Sequence, residues 1–482
     1  MNKSYKYLPK DKRKKILLIT DDIRVHSGVA TVGKEIVLET CHHYNWVQLA
    51  GALKHPDKGK RLDISNDCSK QANIKDASVF LWCVDGYGTP DLLRQVMATE
   101  KPDAILLITD PRYFTWVFNM EHEIRKVCPI TYLNIWDDYP APMYNKPFYE
   151  SCDMLMGISK QTVNINKLVL DGEDNSKRVF KYVPHGLNSD HYYPIDKKDE
   201  KYLAFRKRVL GKDDSKTKFI AFFNSRNIRR KQIPDTMLAF RAFLDSLPKE
   251  EADGCKLILH TEVTSNHGTN LAKVNEYLFG EKYKNNVLFS TNKLSREELN
   301  YFYNLADVQM LLTSNEGWGL TITEAILAGT PIIANTTGGM QDQMRFVDEN
   351  GKWFTPSPDV PSNHRGTYKE HGEWAFPLYP ATRSVQGSPP TPYIFDDRCK
   401  WEDAVDRLTE VYNLSSEERN RRGLAGREWA IGDEAGFTAK HQGQRILEAF
   451  DELFQVWEPK PKMSISNLNE YKGKFLNHKL IY

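Results

Sequence analysis

Short apolar runs recur along this chain at regular distances. In the N-terminal part they cover residues 15–20, 47–50, 79–84, 104–109, 130–135 and 154–158. Polar loop residues follow each run, and helical or mixed segments separate them. That alternation predicts a parallel sheet with helices on both faces. The first unit is the plainest: KILLIT as a strand, DDIRVHSG as a loop, VATVGKEIVLET as a helix. A strand feeding a helix through a glycine loop opens a doubly wound sheet. A second series begins at 219–223 and continues through 256–261, 287–290 and 331–334. Between the two series lies the charged stretch 196–217, which reads as a linker and a surface helix. A length of 482 residues exceeds one ordinary core. The predicted class is therefore α/β, with two Rossmann-like doubly wound domains at 1–195 and 196–436. Helical patterns fill 401–414 and 417–431, a further helix covers 437–458, and 459–482 is a tail without a core pattern. Residues 351–396, rich in Pro, His, Tyr and Gly, lack a period and are expected to form a long inserted loop.

Composition narrows the class. Hydrophobic residues at 40% and charged residues at 27% describe a soluble globular protein. A net charge of +2 is too mild to indicate nucleic acid by itself. No run approaches the ~18–20 apolar residues needed to span a membrane. The lead MNKSYKYLPKDKRKK has no apolar stretch of the kind a secretory leader carries, so a cytoplasmic location is expected. Seven scattered cysteines without a Cys-x-x-Cys read as reduced thiols, not as a disulfide frame or a zinc site. The basic lead itself is expected to be a solvated tail, with contact to anionic lipid or nucleic acid as the alternative.

Candidate chemistry concentrates in residues 314–339, SNEGWGLTITEAILAGTPIIANTTGG. A glycine-punctuated loop leads into a helix over 320–327, then a buried strand and a Gly-Gly turn. Gly317 and Gly319 let backbone N–H groups approach a ligand. The first N–H groups of the helix face the same space and suit a phosphate. Glu324, one turn into the helix, can accept two hydrogen bonds from a vicinal diol such as a ribose. Glu316 is placed to meet a sugar beyond the phosphates. These features together suggest a site for a phosphorylated sugar.

The segment resembles the signature of family 4 retaining glycosyltransferases, also called glycosyltransferase group 1, which have the GT-B fold. The matching residues are Glu316, Gly317, Trp318, Gly319, Leu320, Glu324, Ala325, Gly329, Pro331, Gly338 and Gly339. The resemblance implies two Rossmann-like domains facing across a cleft, with the last helix crossing back to the first domain. The first domain would bind the acceptor and the second the donor, a nucleotide-sugar, with UDP-sugar or GDP-sugar expected and no further cofactor. It also implies transfer of a hexosyl or pentosyl group with retention of configuration and without a metal ion. Arg226 and Lys231 match the family's cation pair, which would neutralise the diphosphate and the charge that builds as the sugar leaves. Glu316 would brace the sugar and Glu324 hold the ribose. Thr321 and Leu320 continue the donor loop. Lys293 and Leu294 would line the base. Gly28 sits where the family has a glycine near the diphosphate. Asp137 is the nearest match to the family's cleft-facing His or Asp, with Asp138 as runner-up and a turn or cap as the alternative role.

Several features stay open at this level. Gly28-x-x-x-x-Gly33-Lys34 approaches a nucleoside triphosphatase loop, but Glu35 stands where a hydroxyl should meet magnesium. Arg229 and Arg230 either are solvated or meet a polyanionic acceptor. Tyr113, Trp116 and Trp136 could form a stacking floor or belong to the core. His185, without a partner at metal-ligand spacing, reads as structural or hinge-lining. The acceptor (glycan, lipid, small molecule or modified DNA) and the oligomeric state are not specified. Two other readings remain: modification of hydroxylated bases in DNA, and a non-catalytic nucleotide-sugar-binding or scaffold protein.

Overall fold

The computed structural model describes residues 5–460. Its first sheet has eight strands: β1 (Lys14–Asp21), β2 (Tyr44–Ala52), β3 (Arg61–Asp63), β4 (Val79–Asp85), β5 (Ala104–Ile108), β6 (Ile130–Asn134), β7 (Met154–Gly157) and β8 (Val179–Tyr182). Their order is β3-β4-β2-β1-β5-β6-β7-β8. Only β3 runs antiparallel, on β4 at the edge. The chain winds outward from β1 in one direction and restarts at β5 in the other, so the switch point lies between β1 and β5. Open sheets of this kind bind ligands beyond the carboxyl ends of the strands at that crevice.

Alternation in β1 shows why the sequence pattern works. Ile16 and Leu18 enter one core cluster, while Leu17 and Ile19 enter the cluster on the opposite face. All four are fully buried. A strand covered on both faces has no polar side to show, which is why KILLIT reads as a continuous run.

The second sheet holds β9 (Phe219–Asn224), β10 (Cys255–His260), β11 (Val287–Ser290), β12 (Val308–Leu311), β13 (Ile332–Asn335) and β14 (Ala375–Leu378). Its order, β11-β10-β9-β12-β13-β14, is parallel throughout and reverses between β9 and β12. The 314–319 loop leaves β12, and Arg226 follows β9, so both stand at this second switch point.

The long helix Ala439–Val456 crosses back to the first sheet. It packs against the helix Gly28–Thr40, where Gly443 brings the backbones together: a Cβ there would lie 2.5 Å from Glu39 Cβ. Tyr5 donates to Asp451 at 2.8 Å, and Lys181 pairs with Glu452. The linker carries the expected surface helix, Glu200–Leu210.

Two expectations change. Residues 5–13 are not a solvated tail: Arg13 is buried, donating to Asp76 at 2.6 Å and to the Leu8 carbonyl at 2.7 Å. The rest of the lead, 1–4, and all but two residues of the 459–482 tail lie outside the described residues. The expected loop over 351–396 contains β14 and most of an antiparallel hairpin, β15 (Pro380–Ser388) and β16 (Thr391–Cys399). The hairpin leans on the other domain. Tyr144 donates to the Tyr393 carbonyl at 2.8 Å, Phe395 N–H donates to the Tyr139 carbonyl at 2.7 Å, and Ile394 and Phe395 pack on the first domain's core. Its prolines and glycine hide the period, and its apolar side faces a surface distant in sequence.

Candidate functional site

Between the two sheets lies a cavity of about 450 Å³. The first domain supplies Asp21, Gly28, Asp137 and His185; the second supplies Arg226, Arg230, Lys231, Glu316 and the loop from Gly317 to Thr321. The expected residues Gly28, Asp137, Arg226, Lys231, Glu316, Gly317, Trp318, Gly319, Leu320 and Thr321 therefore meet in one place. A neighbouring cavity of about 460 Å³ is lined by Arg226, His260, Ser290, Lys293 and Thr321. Arg226 and Thr321 border both. Leu294 lines neither cavity; its side chain packs against the core.

The loop owes its shape to two glycines. Gly319 has φ +87°, left-handed backbone that side chains disfavour, and it caps the helix Leu320–Leu327. Gly317 sits against the first domain: a Cβ there would meet the Ile135 carbonyl at 2.7 Å. The N–H groups of Gly317, Trp318 and Gly319 donate to no group among the described residues. They are free for an anion at the helix entrance. Trp318 is anchored behind them, its Nε1 donating to Thr323 at 2.9 Å.

The charged groups divide by partner. Arg226 is exposed, and its guanidinium has no hydrogen-bond or ion-pair partner among the described residues. Lys231 is buried and pairs with Glu316, which also accepts from Arg230 at 2.9 Å. Arg230 donates further to the Asn315 carbonyl at 2.5 Å. Arg230 thus lines the cleft with its side chain one-third exposed and paired with Glu316, whereas Arg229 is exposed. Its spacing, one residue before Lys231, does not reveal this because the short turn Arg229–Lys231 decides which side chain faces inward. Burial works to raise the Glu316 carboxyl, but Lys231 and Arg230 outweigh it and hold it at about 2. Burial pushes Lys231 below the usual lysine range, against Glu316.

Asp137 is half-buried, and burial raises its carboxyl above the usual range despite Arg230. Asp138 points away from the cavity. It accepts from Tyr139 N–H at 2.7 Å and from Thr337 at 3.1 Å, and Thr337 also reaches Asp397 of β16 at 3.3 Å. Burial beside Asp397 drives the Asp138 carboxyl well up. It ties the domains together and is not a cleft group. Trp136 is buried, with its Nε1 on the Asp138 carbonyl at 2.7 Å, so it belongs to the core; Tyr113 is exposed.

Glu324 lies off the main cavity. Tyr192 donates to it at 3.0 Å and Tyr303 also donates. Burial pushes its carboxyl up to about 7, the two hydroxyls working against that. A carboxylate has about four lone-pair sites, so two remain for a diol.

Among the described residues, one cluster has metal-binding residue types. Asp22, His55 and Cys83 hold ligand atoms within 4.8 Å of one another. Arg24 already forks onto Asp22 at 2.6 Å and reaches Cys83 Sγ at 3.7 Å. The His55 ring faces Asp22 through Nε2 at 2.8 Å and accepts from Asp57 N–H through Nδ1 at 3.0 Å. A guanidinium fills the place a cation would take.

Residues 211–362 match the family described as Glycosyl transferases group 1. The chain is 27% identical over 228 residues to an alpha-monoglucosyldiacylglycerol synthase of Acholeplasma laidlawii, covering 46% of this chain and half of that relative. Among solved structures, a sucrose-phosphate synthase of Thermosynechococcus elongatus aligns with TM-score 0.63 at 14% identity, covering 92% of this chain and 100% of that one. HepE of Anabaena, solved with UDP and glucose, aligns with TM-score 0.59 at 13% identity, covering 91% and 100%. The fold is GT-B.

Proposed function

We propose that this chain, whose residues 211–362 match the group 1 glycosyl transferases, transfers a sugar from a nucleotide-sugar to an acceptor hydroxyl, with retention of configuration and without a metal ion. One observation carries the proposal: an unpaired Arg226 and the free N–H groups of Gly317–Gly319 border the same interdomain cavity as the Lys231–Glu316–Arg230 cluster. A diphosphate is the group that such a set accommodates. UDP-sugars are the first donors to test, because the similar HepE structure holds UDP and glucose.

In the proposed reaction the bond between sugar C1 and the β-phosphate oxygen breaks. A bond from C1 to the acceptor oxygen forms on the same face, and the acceptor proton passes to the departing phosphate oxygen. Arg226 and the loop amides take up charge on the leaving group. Glu316, kept ionised by Lys231 and Arg230, faces the positive charge that develops on the sugar. Glu324 accepts the ribose diol, and Lys293 borders the base in the neighbouring cavity.

Thermal stability against UDP, GDP and their sugars, on wild type and Arg226→Ala, tests this. A ligand at 100 times its dissociation constant adds about 2.7 kcal/mol. A shift with one nucleotide family, lost in the variant, is expected; a folded protein that responds to none of them overturns the reading.

A further inference from the structure

His185 follows β8 through Val183 and Pro184 and lines the interdomain cavity from the first-domain side. Its backbone is clamped. Leu187 N–H donates to the Phe437 carbonyl at 3.1 Å, Ala439 N–H donates to the Leu187 carbonyl at 2.9 Å, and a Cβ on Gly186 would lie 2.2 Å from the Thr438 carbonyl. The ring meets Trp318 edge-on, centroids 6.4 Å apart, and Trp318 is itself held by Thr323. The imidazole is thus fixed on both sides, by the start of the crossover helix and by the signature loop.

Its polar atoms are not used by the protein. His185 is 7% exposed, and neither ring nitrogen has a hydrogen-bond partner among the described residues; Nδ1 is wholly buried. An unmet buried polar group costs about 1–3 kcal/mol, so a fixed ring in this condition calls for a partner that arrives later. Burial lowers the imidazole to about 3, with Glu316 only partly offsetting it. At neutral pH the ring is therefore uncharged, and Nε2, the nitrogen that is not wholly buried, meets a ligand either as an N–H donor or as a lone-pair acceptor according to tautomer. The other polar side chains on this cavity are the acids and cations Asp21, Asp137, Arg226, Arg230, Lys231 and Glu316 and the hydroxyls Ser27, Ser225 and Thr321, of which Ser27 is already bonded to Asp21. Such a nitrogen is suited to a hydroxyl, which both donates and accepts, and it brings no positive charge to a phosphate, unlike Arg226 and Lys231.

We propose that His185 is a specificity-determining residue that hydrogen-bonds a hydroxyl of the transferred sugar and leaves the nucleotide to the second domain. The proposal rests on the nucleotide-sugar reading above and deepens it. The two are separable by titration calorimetry of wild type, His185→Ala and His185→Gln with UDP, UDP-glucose, GDP and GDP-mannose. Wild type tests the donor reading, and the variants test His185. For the sugar nucleotide that binds, His185→Ala is expected to weaken affinity about tenfold while affinity for the matching nucleoside diphosphate stays within about twofold. His185→Gln, which keeps a donor and an acceptor, should recover part of the loss. Equal weakening of both ligands would mark a structural role and overturn the proposal, as would no change in either. If His185→Ala does not fold, the same ratio is read on His185→Phe, which removes both ring nitrogens and keeps a ring: an unchanged ratio there, with wild-type stability, also overturns it. Wild type that binds nucleoside diphosphates but gains nothing from the sugar refutes His185 as a sugar contact. Wild type that binds none of the four refutes the donor reading first.

Discussion

Replacing Glu316 by Gln removes the carboxylate that pairs with the buried Lys231. The Lys231 side chain is 9% exposed and Glu316 13%, whereas Arg230 at 33% can turn toward water. Breaking a buried pair from one side costs about 3–5 kcal/mol, because the remaining charge is left without compensation. Since solvent relieves Arg230, the lower end, about 3 kcal/mol, is expected. For a domain of this size 1 kcal/mol moves the midpoint by about 2–4 °C, so the transition of the second domain should fall by about 6–12 °C. The double variant Glu316→Gln with Lys231→Met removes both charges and should be more stable than the single Glu316→Gln. Thermal melts of wild type, both singles and the double give the coupling. The linkage has a sign: the Glu316 carboxyl is depressed to about 2 in the fold, so its stabilisation is present above the unfolded carboxylate range and is lost as pH falls toward 2. The gap between wild type and Glu316→Gln should therefore close below about pH 4.5. Costs that add within about 0.5 kcal/mol would refute the idea that these groups compensate each other.

Other outcomes follow from the same geometry. Gly317→Ala puts a methyl 2.7 Å from the Ile135 carbonyl and should separate the two sheets locally, cutting turnover while circular dichroism stays unchanged; full activity would show that the approach is dispensable. Glu324 ionises near 7, so affinity for UDP-glucose, whose phosphates do not titrate there, should weaken as pH falls below 7, and Glu324→Gln should bind weakly with a flat profile; calorimetry between pH 6 and 8.5 decides. Replacing Ile394 and Phe395 by Ala removes the hairpin's apolar hold on the first domain and should speed tryptic cleavage after Arg383 in the hairpin; an unchanged cleavage rate would show that the polar contacts of Tyr393 suffice.

Where every residue of a strand is buried, as at 16–19, a run of apolar side chains is the only solution, and sequence reveals it directly. The 314–339 segment is legible for a related reason. Its glycines answer to local backbone demands, φ +87° at Gly319 among them, which no distant contact can supply. Three features were hidden. The hairpin of β15 and β16 buries its apolar side on residues 139–144, more than 200 positions away, so its own pattern looks irregular. Arg230 turns inward and Arg229 outward because of one short turn between β9 and the following helix. The state of His185 depends on the crossover segment at 437–439 and on Trp318, which meet only after both domains have formed. Sequence by itself determined the two doubly wound sheets and the glycine loop that opens the helix at 320, since strand burial and glycine conformation are local requirements. Tertiary structure decided which charges compensate one another and which polar atoms remain free, because burial and pairing across a cleft are properties of two surfaces brought together.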